Sequence, residues 1–187
     1  MKLNLQLFVL VLGFSGIMQA QGPQQLAETP KHGEWVDFKR DNGSVLKALV
    51  VHPESGEPSK AVIIVHENLG LNQWIKDFSE MVANQGFVVI APDLISNSVE
   101  GLERTTDFEN GDKVREAIYA LDQEQVTKDL DLVFQYIMND PTTNGKISVV
   151  GFGWGGTQSF NYAAQNPNLE GVMVYYGTAP KDVTSLR

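Results

Sequence analysis

Gly151, Gly153, Gly155 and Gly156 crowd one six-residue turn, Gly151-Phe152-Gly153-Trp154-Gly155-Gly156. A β-branched run, Ile147 to Val150, precedes it, and a helix-like stretch from Thr157 to Gln165 follows. A strand, a glycine turn and a helix are the setting of two different chemistries. In a nucleophile elbow, G-x-S-x-G or its cysteine form, the middle residue attacks a carbonyl carbon. In the dinucleotide fingerprint, G-x-G-x-x-G, backbone amides meet a pyrophosphate. With glycine at position 153 the turn fits the second pattern as written, and the first with its nucleophile deleted.

The dinucleotide reading requires a carboxylate about 20 positions on, at the end of the next strand, to hold the ribose. That strand ends in Tyr176-Gly177-Thr178, with Glu170 before it and Asp182 beyond it. A dinucleotide-binding unit also opens its domain, whereas this turn comes late. Neither NAD nor FAD is expected, and the fingerprint stands as the alternative. The elbow explains more. Its central residue sits in strained backbone costing of order 1–3 kcal/mol for a side-chain-bearing residue, and small neighbours let strand and helix approach. Gly153 would relieve the strain and remove the attacking atom. The turn should survive; covalent catalysis should not.

The elements that position this turn can be read along the chain. Trp35–Lys39, the turn Asp41-Asn42-Gly43 and Val45–Val51 form a hairpin. Ala61–Val65 and Phe87–Ala91 are continuously apolar, as strands buried on both faces are, and Pro92 is expected to end the second. Helical spacing of apolar residues marks Gln73–Gln85, stopped by Gly86, and Gln123–Met138; a shorter helix is expected over Lys113–Leu121. Residues 95–110 form a polar excursion without period. After the glycine turn and its helix comes the apolar strand Val172–Tyr176. Strands alternating with helices predict an α/β fold with a mostly parallel sheet and an N-terminal antiparallel hairpin. Because an apolar strand lies near Arg187 with nothing after it to cover it, the domain, residues 34–187, is expected to be C-terminally incomplete.

At 187 residues the chain is expected to hold one domain. Its 42% hydrophobic and 20% charged residues are those of a globular protein with a core. A net charge of -9 argues against a nucleic-acid partner. Lys2, the apolar run Leu5–Met18 and Ala20 before a polar stretch read as a signal peptide over residues 1–20. Residues 21–33 read as a linker. The protein is thus expected to be exported, periplasmic or secreted, with no membrane association after cleavage. No cysteine is present, which excludes disulfides and thiolate metal sites.

Several segments together resemble the dienelactone hydrolase family. They are Gly-Phe-Gly153-Trp-Gly-Gly, with glycine where the family has cysteine, Ile64-Val-His66-Glu67-Asn68-Leu69-Gly70-Leu71-Asn72, Ala91-Pro92-Asp93-Leu94 and Tyr175-Tyr176-Gly177-Thr178. They occur in the family's order and span most of residues 34–180. The resemblance implies an α/β-hydrolase fold and hydrolysis of a carboxylic ester or lactone by a Cys-His-Asp triad, with no cofactor. It puts Gly153 in the nucleophile's place and matches Glu67 to the glutamate beside it. Oxyanion donors in such a fold are the N–H after the nucleophile and one from the loop after an earlier strand, here Trp154 and Asn68. The triad's Asp and His would lie beyond Arg187. Where dienelactone-specific members carry a carboxylate-binding arginine, this chain has Asn97.

Other candidates read more simply. His66, at the mouth of a buried strand, is expected to be a hydrogen-bonded structural residue, and His32 and His52 to be exposed. The three histidines show no metal-ligand spacing, so no metal is expected. Ser148 falls within a strand and Ser159 inside a helix, while Trp154, Trp74 and Tyr175 read as core aromatics. The chain as written is expected to have little or no activity. Its alternatives are a ligand-binding pseudoenzyme, a fragment carrying an altered codon at 153, or the dinucleotide-binding module.

Overall fold

The computed structural model describes residues 33–54 and 56–180. The expected signal peptide, nearly all of the expected linker with His32, and the last seven residues lie outside the described residues. Strands β1 (Gly33–Lys39), β2 (Val45–Val51), β3 (Ser59–Val65), β4 (Val88–Asp93), β5 (Thr143–Phe152) and β6 (Gly171–Tyr175) make one sheet in the order β1-β2-β4-β3-β5-β6. The first two pair antiparallel as a hairpin, and β2 runs antiparallel to β4; β4, β3, β5 and β6 are parallel to one another. Helices α1 (Gln73–Ala83), α2 (Gly111–Tyr119), α3 (Gln123–Met138) and α4 (Trp154–Gln165) connect them. No helix among the described residues is long and apolar enough to cross a membrane.

Alternation along the central strands divides the core in two. Ala61, Ile63, Val65, Ile147 and Val149 pack with Val126, Leu130, Val133 and Ile137 of α3 and Tyr162 of α4. Val62, Ile64, Val89 and Val150 face the other way, onto Leu71 and Ile75 by α1. That two-sided cover is why these strands contain no polar alternation. Asn72, Asn110 and Asp122 cap α1, α2 and α3 by accepting first-turn backbone N–H groups, which satisfies donors that a helix start leaves free.

Four sequence expectations need correction. Pro92 does not end β4; it pairs with Ala48 of β2, and the ladder to β3 stops at Ile90, so no partner there needs its missing N–H. Strand β5 starts at Thr143, four residues before the β-branched run that begins at Ile147. Helix α4 starts at Trp154, three residues early, with Gly155 and Gly156 inside it. Trp74 and Tyr175 are about half exposed, at 49% and 47%, and not core. They lie with Phe78 and Phe152 in an aromatic cluster at the edge of the sheet.

The excursion at 95–110 is also ordered more tightly than its polarity suggests. It contains a bridge between Val99 and Leu102 and a short 3-10 turn at Thr105–Asp107. Close by, buried Arg40 reaches out from the end of β1. Its guanidinium donates to Asp129 of α3 at 2.7 and 2.9 Å, to the Ser96 carbonyl at 2.7 Å and to the Leu94 carbonyl at 3.3 Å.

Candidate functional site

The site is built where β3 and β5 end side by side. Between β5 and α4, Gly153 has φ +53° and ψ -115°, backbone that glycine adopts without the strain a side chain would bring. Its N–H donates to the Tyr175 carbonyl at 2.9 Å, and its carbonyl accepts the Thr157 N–H at 3.1 Å. A Cβ placed on Gly153 would lie 3.1 Å from the Tyr176 ring and 3.9 Å from the Glu67 Cβ. The missing side chain would therefore emerge between those two residues.

The neighbouring glycines are there for packing. A Cβ at Gly151 would run into the Gly155 carbonyl and Ser159 Oγ, and one at Gly155 into the His66 and Val65 carbonyls. At Gly156 it would lie 2.9 Å from the Tyr175 carbonyl. Helix α4 thus rests directly on the ends of β3, β5 and β6. Ser159 is buried in that contact, between α4 and Gly151, and Ser148 lies in β5 as expected.

The loop after β3 carries Glu67 and Asn68 and is held at both ends. His66 is fully buried. Its Nδ1–H donates to the Glu67 carbonyl at 2.8 Å, and Nε2 accepts the Leu94 N–H at 3.2 Å. Burial holds its pKa below the ordinary histidine value, with Asp93 and the Glu67 carbonyl only partly offsetting it, so the ring is neutral. This is the structural histidine expected. At the far end, Thr105 Oγ donates to Asp93 at 2.7 Å and accepts the Leu71 N–H at 3.0 Å. The Thr105 N–H gives Asp93 a second bond of 2.7 Å. Burial raises the Asp93 pKa against the pull of His66 and these bonds.

Glu67, Asn68, Gly153 and Trp154, the four residues singled out in the sequence, line one cleft of about 510 Å³. Tyr119, Thr157, Tyr176 and Thr178 complete it. As the first residue of α4, Trp154 has an N–H with no partner inside the helix. Among the described residues of the lining, Glu67 is the one carboxylate and there is no histidine, lysine or arginine. His52 sits elsewhere, 3.2 Å from Thr142 and 3.7 Å from Glu34. Asn97 donates to the Val45 carbonyl at 2.9 Å and is also absent from the cleft. Among the described residues no cluster of three or more histidine or carboxylate side chains could hold a metal ion.

Sequence reasoning missed Tyr119, Thr157, Tyr176 and Thr178. A signal existed for two of them. Thr157 is four residues past Gly153, in the first turn of α4, and its Oγ accepts the Thr178 N–H at 2.9 Å. Tyr176 follows a strand in parallel register with β5, Phe152 opposite Tyr175, so it had to emerge at the same sheet end. Ligands in open α/β sheets bind outside those carboxyl ends.

The comparisons with known proteins agree with this geometry. The structure superposes on a Klebsiella pneumoniae protein assigned to the dienelactone hydrolases with TM-score 0.67 and 24% identity, covering 83% of this chain and 64% of that one. A dienelactone hydrolase-like promiscuous phosphotriesterase from metagenomic libraries gives TM-score 0.65 at 19% identity, covering 81% and 62%. These likenesses show an α/β-hydrolase fold. In sequence, the chain is 28% identical over 148 residues to the carboxymethylenebutenolidase of Pseudomonas putida, covering 77% of this chain and 61% of that protein. It spans 50%, 61% and 68% of the length of three curated relatives it matches. The model of the dienelactone hydrolase family matches residues 46–186. That match runs through the loop after β3 and through the elbow alike, and the chain belongs to the dienelactone hydrolase family.

Proposed function

We propose that the cleft holds a small neutral carboxylic ester or lactone, its carbonyl oxygen on the N–H groups of Trp154 and Asn68, and that the covalent step is lost. One observation carries this reading. Gly153 keeps the backbone of an elbow, with its Cβ direction aimed between Glu67 and Tyr176, yet offers no atom to attack with. The relative named as a carboxymethylenebutenolidase supports the lactone class. With Glu67 as the lone carboxylate and no cation among the described residues of the lining, the cleft favours neutral ligands over carboxylate-bearing ones. The leader-like residues 1–20 support export.

The test uses p-nitroacetanilide, the stable amide counterpart of p-nitrophenyl acetate, titrated calorimetrically into the full chain. Binding should weaken at least about tenfold in Trp154→Pro, which removes the N–H at a helix position where proline is tolerated. Trp154→Phe, which keeps the N–H, is the control and should bind. Equal affinity in all three proteins would defeat the reading.

A further inference from the structure

We propose that Glu67 is a general base for direct attack of water on a neutral, activated ester, giving hydrolysis without a covalent enzyme intermediate. This rests on the reading above, in which the carbonyl oxygen sits on the Trp154 and Asn68 N–H groups. Three observations point to it. The place of the attacking atom is open, because Gly153 has no side chain and its Cβ direction enters the cleft 3.9 Å from the Glu67 Cβ. The Glu67 backbone is fixed, its carbonyl accepting from His66 Nδ1 at 2.8 Å and from the Gly70 N–H at 3.3 Å. Its carboxylate, in contrast, has no hydrogen-bond or ion-pair partner among the described residues. A carboxylate held at its root and free at its tip, beside an empty attacking position, is placed to accept a proton from water.

The steps balance. A Glu67 oxygen takes one proton from water as the water oxygen bonds to the acyl carbon. The carbonyl π pair moves onto oxygen, where the two N–H groups stabilise it. Collapse restores the carbonyl and breaks the acyl–oxygen bond. The leaving alkoxide or phenoxide takes the proton from Glu67, and ester plus water become acid plus alcohol. Nothing is oxidised or reduced. The same carboxylate selects the substrate: an ester with its own carboxylate meets Glu67 with no cation among the described lining residues to offset the repulsion.

The experiment measures steady-state p-nitrophenol release from p-nitrophenyl acetate by the full chain, beside its anionic counterpart p-nitrophenyl hemisuccinate. Turnover of the acetate should exceed the buffer rate, proceed without a burst, slow in D2O and exceed that of the hemisuccinate. Glu67→Gln should lower kcat at least about 10²-fold, the lower end of what a positioned base contributes. Its affinity for p-nitroacetanilide should stay within about twofold. Glu67→Asp, which draws the base back by one methylene, should fall between, with melting temperatures showing that all three are folded. If the amide binds but the ester turns over at the buffer rate, or Glu67→Gln matches the parent, the proposal is wrong. An acyl adduct in the mass spectrum would also overturn it. Failure of the amide to bind would instead remove the reading on which it rests.

Discussion

The imidazole of His66 stacks on the indole of Trp154, with 5.6 Å between ring centroids and 17° between planes. One ring precedes Glu67 and Asn68; the other begins α4. The contact therefore couples the two chain segments that supply the proposed oxyanion donors. A change at either ring should be felt at both.

His66→Ala should cost at least about 2 kcal/mol, because it leaves the buried Leu94 N–H without its acceptor and opens a cavity. Urea denaturation measures the loss, and the emission of Trp154 should shift with it. A loss under about 0.5 kcal/mol would mean that the loop after β3 is held by Thr105 alone.

Gly155→Ala and Gly171→Ala should separate sharply. At Gly155 a Cβ meets the carbonyls of Val65 and His66, backbone that cannot yield cheaply, so α4 must shift at a cost of about 3 kcal/mol. At Gly171 the nearest atom is Ser148 Oγ at 3.7 Å, an ordinary contact, and the change should stay within about 0.5 kcal/mol. Thermal melting of both variants checks the contrast.

Gly153→Cys should fold, losing about 1–3 kcal/mol to a side chain at φ +53°, with the Tyr176 ring moving slightly. Tyr176 is 73% exposed and can do so. The new thiol should react with Ellman's reagent, yet steady-state ester hydrolysis should not rise. The cysteine side chain would fill the place of the water that Glu67 activates, and among the described residues no histidine lines the cleft to serve as a second base for releasing an acyl-thiol.

Alkaline stability should depend on Tyr162. Its hydroxyl donates to Asp131 at 2.8 Å and accepts from Asn166 at 2.8 Å. Burial first, and Asp131 with it, hold its pKa far above the ordinary tyrosine value. A raised folded pKa means that this contribution is complete below about pH 10, the unfolded value, and is lost as pH climbs above it. Denaturation of the parent and Tyr162→Phe between pH 8 and 11 should show the parent falling more steeply.

Titration with NAD or FAD should give no saturable binding. Gly155 and Gly156 are used to seat α4 against β3 and β6, and a pyrophosphate at the start of α4 would lie beside Glu67 in the same cleft. Micromolar binding by calorimetry would return the glycine spacing to its other meaning.

What could be read without coordinates followed from how each residue is constrained. β3 and β4 declared themselves because both faces are covered, and α3 because Val126, Leu130, Val133 and Ile137 repeat along one side. Glu67, Asn68, Gly153 and Trp154 lie on segments whose order is the family's, and they meet in one cleft. The start of α4 was misplaced because Gly155 and Gly156 look like helix breakers, while their real constraint is the distance to β3. Tyr119 was missed for a related reason: nothing local separates a cleft tyrosine from a surface one. Asp93 to Thr105, similarly, is a tie between a strand end and a polar stretch that has no periodicity of its own.

The Arg40 guanidinium bonds at once to α3 and to two carbonyls of the chain beyond β4. A hairpin on the rim of a sheet would ordinarily be the first part to fray, exchanging its amide protons in brief local openings. Here, peeling β1 away would strand a buried cation and the buried carboxylate of Asp129 together. The outermost hairpin is thereby joined to the same cooperative unit as α3, and its slowest amides should exchange only when the whole domain opens.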